Sequence, residues 1–122
     1  MTKMKPHNKK PETLELENHM AYYTGTEHYY RYMGSRFVYT DGVRGFAQKA
    51  EAYWFIDLCF GYLVRLPEDF YSIKLTVKGG KATLTVKGEK EVARKNIPYT
   101  DCPEGEWLFY YSDNVLFWNG EY

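Results

Sequence analysis

Three histidines, two cysteines and one aspartate set in an apolar run have the widest chemical reach in this 122-residue chain. His7, His19 and His28 fall in no CxxC, HxxxH or HExxH spacing, so the sequence offers no metal site. His28 beside Glu27 supplies two candidate ligands, and a surface or capping histidine is the better reading. Cys59 lies mid-helix among apolar side chains, where a thiolate is disfavoured. Cys102, in YTDCPEGE, is expected to be exposed but surrounded by acids, which disfavours the thiolate as well. There is no GxSxG elbow, no P-loop and no GxGxxG. No residue is assigned as catalytic, and no cofactor is implied.

Asp57 is the most informative single position. Its helical neighbours are Tyr53, Trp54, Phe60 and Gly61, so burial should raise its pKa unless something bonds it. It is then either a general acid or base, or a structural carboxylate paired with a tyrosine or arginine. Glu27, Arg31, Asp41 and Arg44 are the groups expected to join it in a polar cluster. Such networks commonly fix architecture without doing chemistry.

Binding chemistry is better represented. The chain holds 13 Tyr, 7 Phe and 3 Trp, and AYYTGTEHYYRY (residues 21 to 32) alone carries five of the tyrosines. Tyrosine suits half-buried positions, because its ring is apolar and its hydroxyl needs a partner. Most of these rings are expected to cover the apolar second half of a central helix, with any surplus free for an interface. Charge sums to zero yet is segregated: residues 72 to 98 hold seven basic and two acidic side chains, residues 99 to 122 five acidic and none basic. Two cysteines do not make a disulfide scaffold. The segment MTKMKPHNKKPE has no apolar h-region, and the apolar run 52–64 is too short to span a membrane. A reducing cytoplasm is the expected setting.

The elements that must position these groups are legible by period. Residues 1–12 read as a flexible basic tail and 13–122 as one α+β domain. Thr13 to Ala21 suggests a short helix, although LELE also alternates like a strand. Thr24 and Glu27 have the spacing of a capping box, predicting a short helix through Tyr30 to Met33, ended by Gly34. From Asp41 to about Arg65 a long central helix is expected, with Val43, Phe46, Ala47, Ala50, Trp54 and Leu58 on one stripe.

The second half is β. SIKLTVK-GG-KATLTVK predicts a hairpin with a two-residue loop at Gly79-Gly80, pairing Val77 with Ala82, Leu75 with Leu84 and Ile73 with Val86. Its other face carries Lys74, Lys78, Lys81 and Lys87. A further strand is expected over Val92 to Ile97. WLFYYSDNVLFW predicts a second hairpin looping at Asp113-Asn114, apolar on both faces. Trp107, Phe109, Tyr111, Leu116 and Trp118 share one; Leu108, Tyr110, Val115 and Phe117 share the other. Helices first and strands after imply helices on one face of an antiparallel sheet of four to five strands.

Three segments carry a resemblance: Thr24-Gly25-Thr26-Glu27 with Tyr29-Tyr30-Arg31; Tyr39-Thr40-Asp41-Gly42-Val43; and Ala52-Tyr53-Trp54 with Ile56-Asp57. Over residues 22 to 57 the chain resembles an uncharacterised family of small bacterial proteins, also met on phages and other mobile elements. The resemblance implies an accessory role and supplies no site residue.

The sequence therefore points first to a non-enzymatic protein that binds another protein, or itself as a homodimer, through Tyr110, Phe117, Trp107 and Trp118. An anti-defence or inhibitor-type factor of a mobile element fits that reading. Two alternatives stand beside it. One is a nucleic-acid-binding module using the lysine face, against which the lack of aromatics on that face counts. The other is a small enzyme built around Asp57.

Overall fold

The computed structural model describes residues 9–122. Most of the expected tail lies outside those residues. Pro11 and Glu12, assigned to it, instead open the first helix, α1 (Pro11–Met20), where proline at the start costs no hydrogen bond. Thr13, Leu16 and Met20 form its buried side.

The expected helix after Thr24 does not form. Thr26 is occupied instead: its hydroxyl donates to His28 O at 2.7 Å and accepts from Asp41 N at 2.9 Å. Those bonds hold the segment extended, and it enters strand β1 (Tyr29–Arg31). β1 pairs antiparallel with β2 (Val38–Thr40) through a turn at Met33-Gly34, both at positive φ. The local capping signal lost to tertiary partners.

α2 (Asp41–Lys49) starts where expected, with Thr40 as N-cap. The long central helix, however, is two helices. Ala50 closes α2, Glu51 takes φ +54°, and α3 runs Tyr53–Leu63. Phe46 and Phe55 lie nine residues apart, about 900° of helical rotation at 3.6 residues per turn, so an unbroken helix would aim them oppositely. With the break, both rings reach Phe109, at 5.0 and 4.7 Å between centroids, and each other at 5.4 Å. The predicted stripe shifts accordingly: Phe55, Ile56, Cys59, Phe60 and Leu63 are buried in α3, while Trp54 and Leu58 are half-buried.

The remaining strands are β3 (Phe70–Lys78), β4 (Lys81–Lys87), β5 (Glu91–Ile97), β6 (Gly105–Ser112) and β7 (Val115–Trp118). They join the first two in one seven-stranded sheet ordered β1-β2-β7-β6-β3-β4-β5. The architecture is α+β. The sheet exceeds the expected four to five strands because the first half contributes two, β2 lying parallel to β7.

The Gly79-Gly80 hairpin has the predicted register, Ile73 opposite Val86, Leu75 opposite Leu84 and Val77 opposite Ala82. Both glycines sit at positive φ, as a two-residue turn of this hand requires. Asp113 and Asn114 turn the second hairpin at φ +51° and +70°, a conformation their short polar side chains tolerate. There Tyr111 faces Leu116 and Phe109 faces Trp118.

The helices pack on the sheet face carrying Tyr71, Ile73, Leu75, Leu84, Phe109 and Leu116, all essentially buried. Among the described residues no helix covers the opposite face.

Candidate functional site

The helix-free face divides into two zones. Alternation along β3 places Phe70, Ser72, Lys74, Thr76 and Lys78 on it. Strand β6 adds Leu108 and Tyr110, and β7 adds Val115 and Phe117, all partly exposed. Cross-strand register puts Phe70, Tyr110 and Phe117 in reach of one another. Ring centroids of Phe70 and Tyr110 lie 5.5 Å apart, and those of Tyr110 and Phe117 5.9 Å. Tyr122 folds back over both, 5.3 Å from Tyr110 and 5.8 Å from Phe117, yet remains 84% exposed. The result is an open aromatic cluster.

Next to it lies the cationic zone. Lys74, Lys78, Lys81 and Lys87 are exposed on β3 and β4, with Lys78 directly opposite Lys81. Lys74, Lys87, Thr85 and Arg94 border a groove of about 420 Å³ that also reaches Leu108. Two acids temper the charge. Glu106 lies 3.8 Å from Lys74, and Glu91 takes both nitrogens of the Arg94 fork, at 2.7 and 2.9 Å. Strands β3 and β6 are neighbours, so the basic and acidic segments partly neutralise each other.

Of the four predicted partner-binding residues, only Tyr110 and Phe117 lie on this face. Trp107 is 2% exposed, and its indole N–H donates to Pro103 O at 3.0 Å. Trp118 meets Phe109 edge to face at 5.3 Å on the helix-covered side. Trp107 is core and Trp118 is half-buried against it, because the helices lie on their side of the hairpin. Phe70 and Tyr122 were missed. The strand period, extended two residues before Ser72, reaches Phe70; nothing local marks Tyr122.

A second site lies on the other side of the sheet, where α2 begins. Asp41 Oδ2 accepts from Glu27 N at 2.9 Å and His28 N at 3.2 Å, and Oδ1 accepts from Tyr30 Oη at 2.9 Å. Partial burial works to raise its pKa, but those amides with the Tyr30 and Thr26 hydroxyls outweigh it and hold the carboxyl below its ordinary value. Glu121 caps the same helix end: it accepts from Gly42 N at 2.9 Å, Thr40 Oγ1 at 2.6 Å and Trp118 N at 2.8 Å. Glu121 thereby satisfies one of the open N–H groups of the helix start, that of Gly42.

The expected five-residue polar cluster is therefore only partly assembled. Glu27, Asp41 and Arg44 line one pocket with Tyr30, without an ion pair between them. Arg31 turns away to donate to Ser35 O at 2.8 Å. Asp57, expected buried, is exposed, and accepts from Tyr32 Oη at 2.9 Å. Helix α3 turns its Phe55–Phe60 side to the sheet, which leaves Asp57 outward.

The cysteines are corrected in one respect. Cys102 is buried rather than exposed, and burial pushes its thiol up to about 12. Burial raises Cys59 well above its usual value too. Neither thiol is an available nucleophile at neutral pH. Among the described residues no group of three or more His, Cys, Asp or Glu is placed to hold a metal ion, and no helix is long and apolar enough to cross a membrane.

The five tyrosines of residues 21 to 32 separate into two kinds. Tyr23, Tyr30 and Tyr32 are half-buried and engaged: Tyr32 stacks on Phe60 at 4.6 Å, and Tyr30 on Tyr39 at 5.6 Å. Tyr22 and Tyr29 are exposed, at 86% and 61%.

The chain belongs to DUF6876, a family of unknown function whose model matches residues 14–122. No curated protein and no solved structure matches it.

Proposed function

We propose that this protein acts without catalysis, by seating a partner protein on the helix-free face of its sheet. The open cluster of Phe70, Tyr110, Phe117 and Tyr122 carries the reading. Monomers rarely leave large contiguous apolar patches bare, and aromatic rings are enriched at interface hot spots. The neighbouring lysines fit a partner with an apolar centre and an acidic rim. An accessory factor that blocks a host machine works by such occupancy. The buried, protonated thiols and an Asp41 carboxylate already engaged by the Glu27 and His28 amides and the Tyr30 phenol favour binding over chemistry.

The test has two stages. Sedimentation of the purified protein should report a monomer, since the lysine rim disfavours a second copy; a dimer lost in Phe117→Asp would replace the foreign partner by self-association. A partner isolated from the native host and purified should then bind wild type at least about a hundredfold tighter than Tyr110→Ala/Phe117→Ala, roughly 2.7 kcal/mol. Equal affinity would remove the aromatic cluster from the interface.

One observation favours a second reading. The aromatic cluster and the lysines share a single face, so the objection that the lysine face lacks stacking platforms no longer holds. Single-stranded nucleic acid binds such combinations, with affinity falling steeply with salt. Fluorescence anisotropy with a single-stranded oligonucleotide tests it. A salt-steep micromolar complex, lost when Lys74, Lys78, Lys81 and Lys87 become serine, would reverse the ranking.

A further inference from the structure

Across the sheet from the aromatic cluster, a cavity of about 640 Å³ opens between the 22–27 segment, Tyr30 and the outer side of α2. That size is typical of small-molecule sites. Gly45 shapes it, because a Cβ there would collide with the Tyr23 phenol that lies across the helix. Tyr22 and Tyr23 supply aromatic wall, and Arg44 and Gln48 supply polar groups.

Arg44 is the unusual member. The other arginines with hydrogen bonds spend them on stronger acceptors. Arg94 grips Glu91 with two nitrogens, Arg65 directs two at Gly61 O, Arg31 holds Ser35 O, and Arg36 reaches the Asn114 side-chain oxygen. Arg44 donates from Nη1 to the Tyr30 phenol oxygen at 3.0 Å, has the Tyr53 phenol as its other polar neighbour, and has no carboxylate within 4.0 Å among the described residues. Its guanidinium is nonetheless held in place, 4.7 Å over the Tyr30 ring, which in turn stacks on Tyr39. Asp41, one helical turn before it, is committed to two amides and a phenol. Glu27 also borders the cavity and limits how much negative charge a ligand can carry.

We infer that this cavity binds a small oxyanion attached to a flat ring, the anion on the free edge of the Arg44 guanidinium and the ring against Tyr22 and Tyr23. A positioned guanidinium fork matches the oxygens of a carboxylate or a phosphate ester, and less ordering is lost per bond than with a lysine. The exposed Tyr22 ring, which packs on nothing in the core, gains a partner in the complex. Small anions of this kind reach millimolar to high-micromolar affinity, because few atoms are buried.

The probes are phenyl phosphate, benzoate and inorganic phosphate, followed by titration calorimetry and by amide shifts of residues 22–27 and 44–48. Phenyl phosphate or benzoate should bind with shifts confined to those residues, and which of the two is tighter names the anion. Inorganic phosphate, lacking the ring, should bind about tenfold more weakly. Arg44→Gln should cost at least about tenfold, and Tyr30→Phe, which frees the guanidinium but keeps the ring, a few-fold. Arg94→Gln should change nothing, and neither should Phe117→Asp, so the cavity and the sheet face fail or stand separately. Arg44 is exposed, so Arg44→Gln should unfold within about 2 °C of wild type. Neither ring-bearing anion binding below about 10 mM, or binding unchanged in Arg44→Gln, would overturn the proposal.

Discussion

The two faces of the β6–β7 hairpin are built from the same kinds of side chain and have opposite fates. Trp107, Phe109, Tyr111 and Leu116 are buried in the core on the helix side, while Leu108, Tyr110, Val115 and Phe117 keep part of their surface in water. Composition does not distinguish them; the cover does. A helix layer reaches one side of a sheet, and an aromatic residue on the other side must find cover from its own neighbours or a partner. Tyr122 is the chain's own, incomplete answer.

The largest test of that contrast is truncation on each face. Phe109→Ala should cost about 3–5 kcal/mol by urea denaturation, and Phe117→Ala less than about 1 kcal/mol. Equal losses would mean that the outer face is covered within the chain. The first hairpin gives an independent version. Leu75→Ala or Leu84→Ala should cost about 2–5 kcal/mol, against about 0.5 kcal/mol or less for Thr76→Ala or Thr83→Ala.

Polar cover at the start of α2 should matter less than apolar cover. Asp41→Asn leaves some of the amide and phenol donors poorly satisfied and should cost about 1–3 kcal/mol. It should also flatten the acid limb of stability. The folded-state pKa of Asp41 lies below its unfolded value, so its contribution is full above the unfolded pKa and lost as pH falls through the folded one. Thermal melts of both proteins from pH 6 downwards read the difference directly; parallel acid limbs would assign the effect elsewhere.

Two smaller effects sharpen the comparison at the helices that do the covering. Glu51 holds a left-handed conformation at the α2–α3 break, and Glu51→Gly should stabilise by about 0.5–1 kcal/mol, because glycine adopts it without a Cβ clash. Destabilisation would argue for an interaction of the glutamate side chain. Asp57→Asn, at an exposed position with one phenol bond, should shift stability by about 0.5 kcal/mol or less. A loss of several kcal/mol would restore Asp57 to a structural centre.

Legibility followed the range of the interactions. Strand period and two glycines were enough for the register of the first hairpin, since both signals are local to twenty residues. The loop at Asp113-Asn114 and the start of α2 were readable for the same reason. The expected capping-box helix failed because Thr26 found a better partner fifteen residues away, at Asp41 N. In the expected polar cluster, Asp41 and Arg44 share one turn of helix and so stay near each other, whereas the place of Asp57 depended on how α3 is rotated.

By itself the sequence determined that this is an α+β chain, which residues alternate across each hairpin, and that thiol, metal and nucleotide motifs are missing. Only the tertiary structure decided three further things: where the apparent long helix breaks, that β1 and β2 join the sheet, and which side of the last hairpin is bare. Periodicity records which residues of an element share a face. It carries no information on which element will cover that face, because burial is a property of the assembled layers. Phe46 and Phe55, opposed along any continuous helix, lie together on Phe109 because the core there gains more from two rings than the chain loses by turning at Glu51.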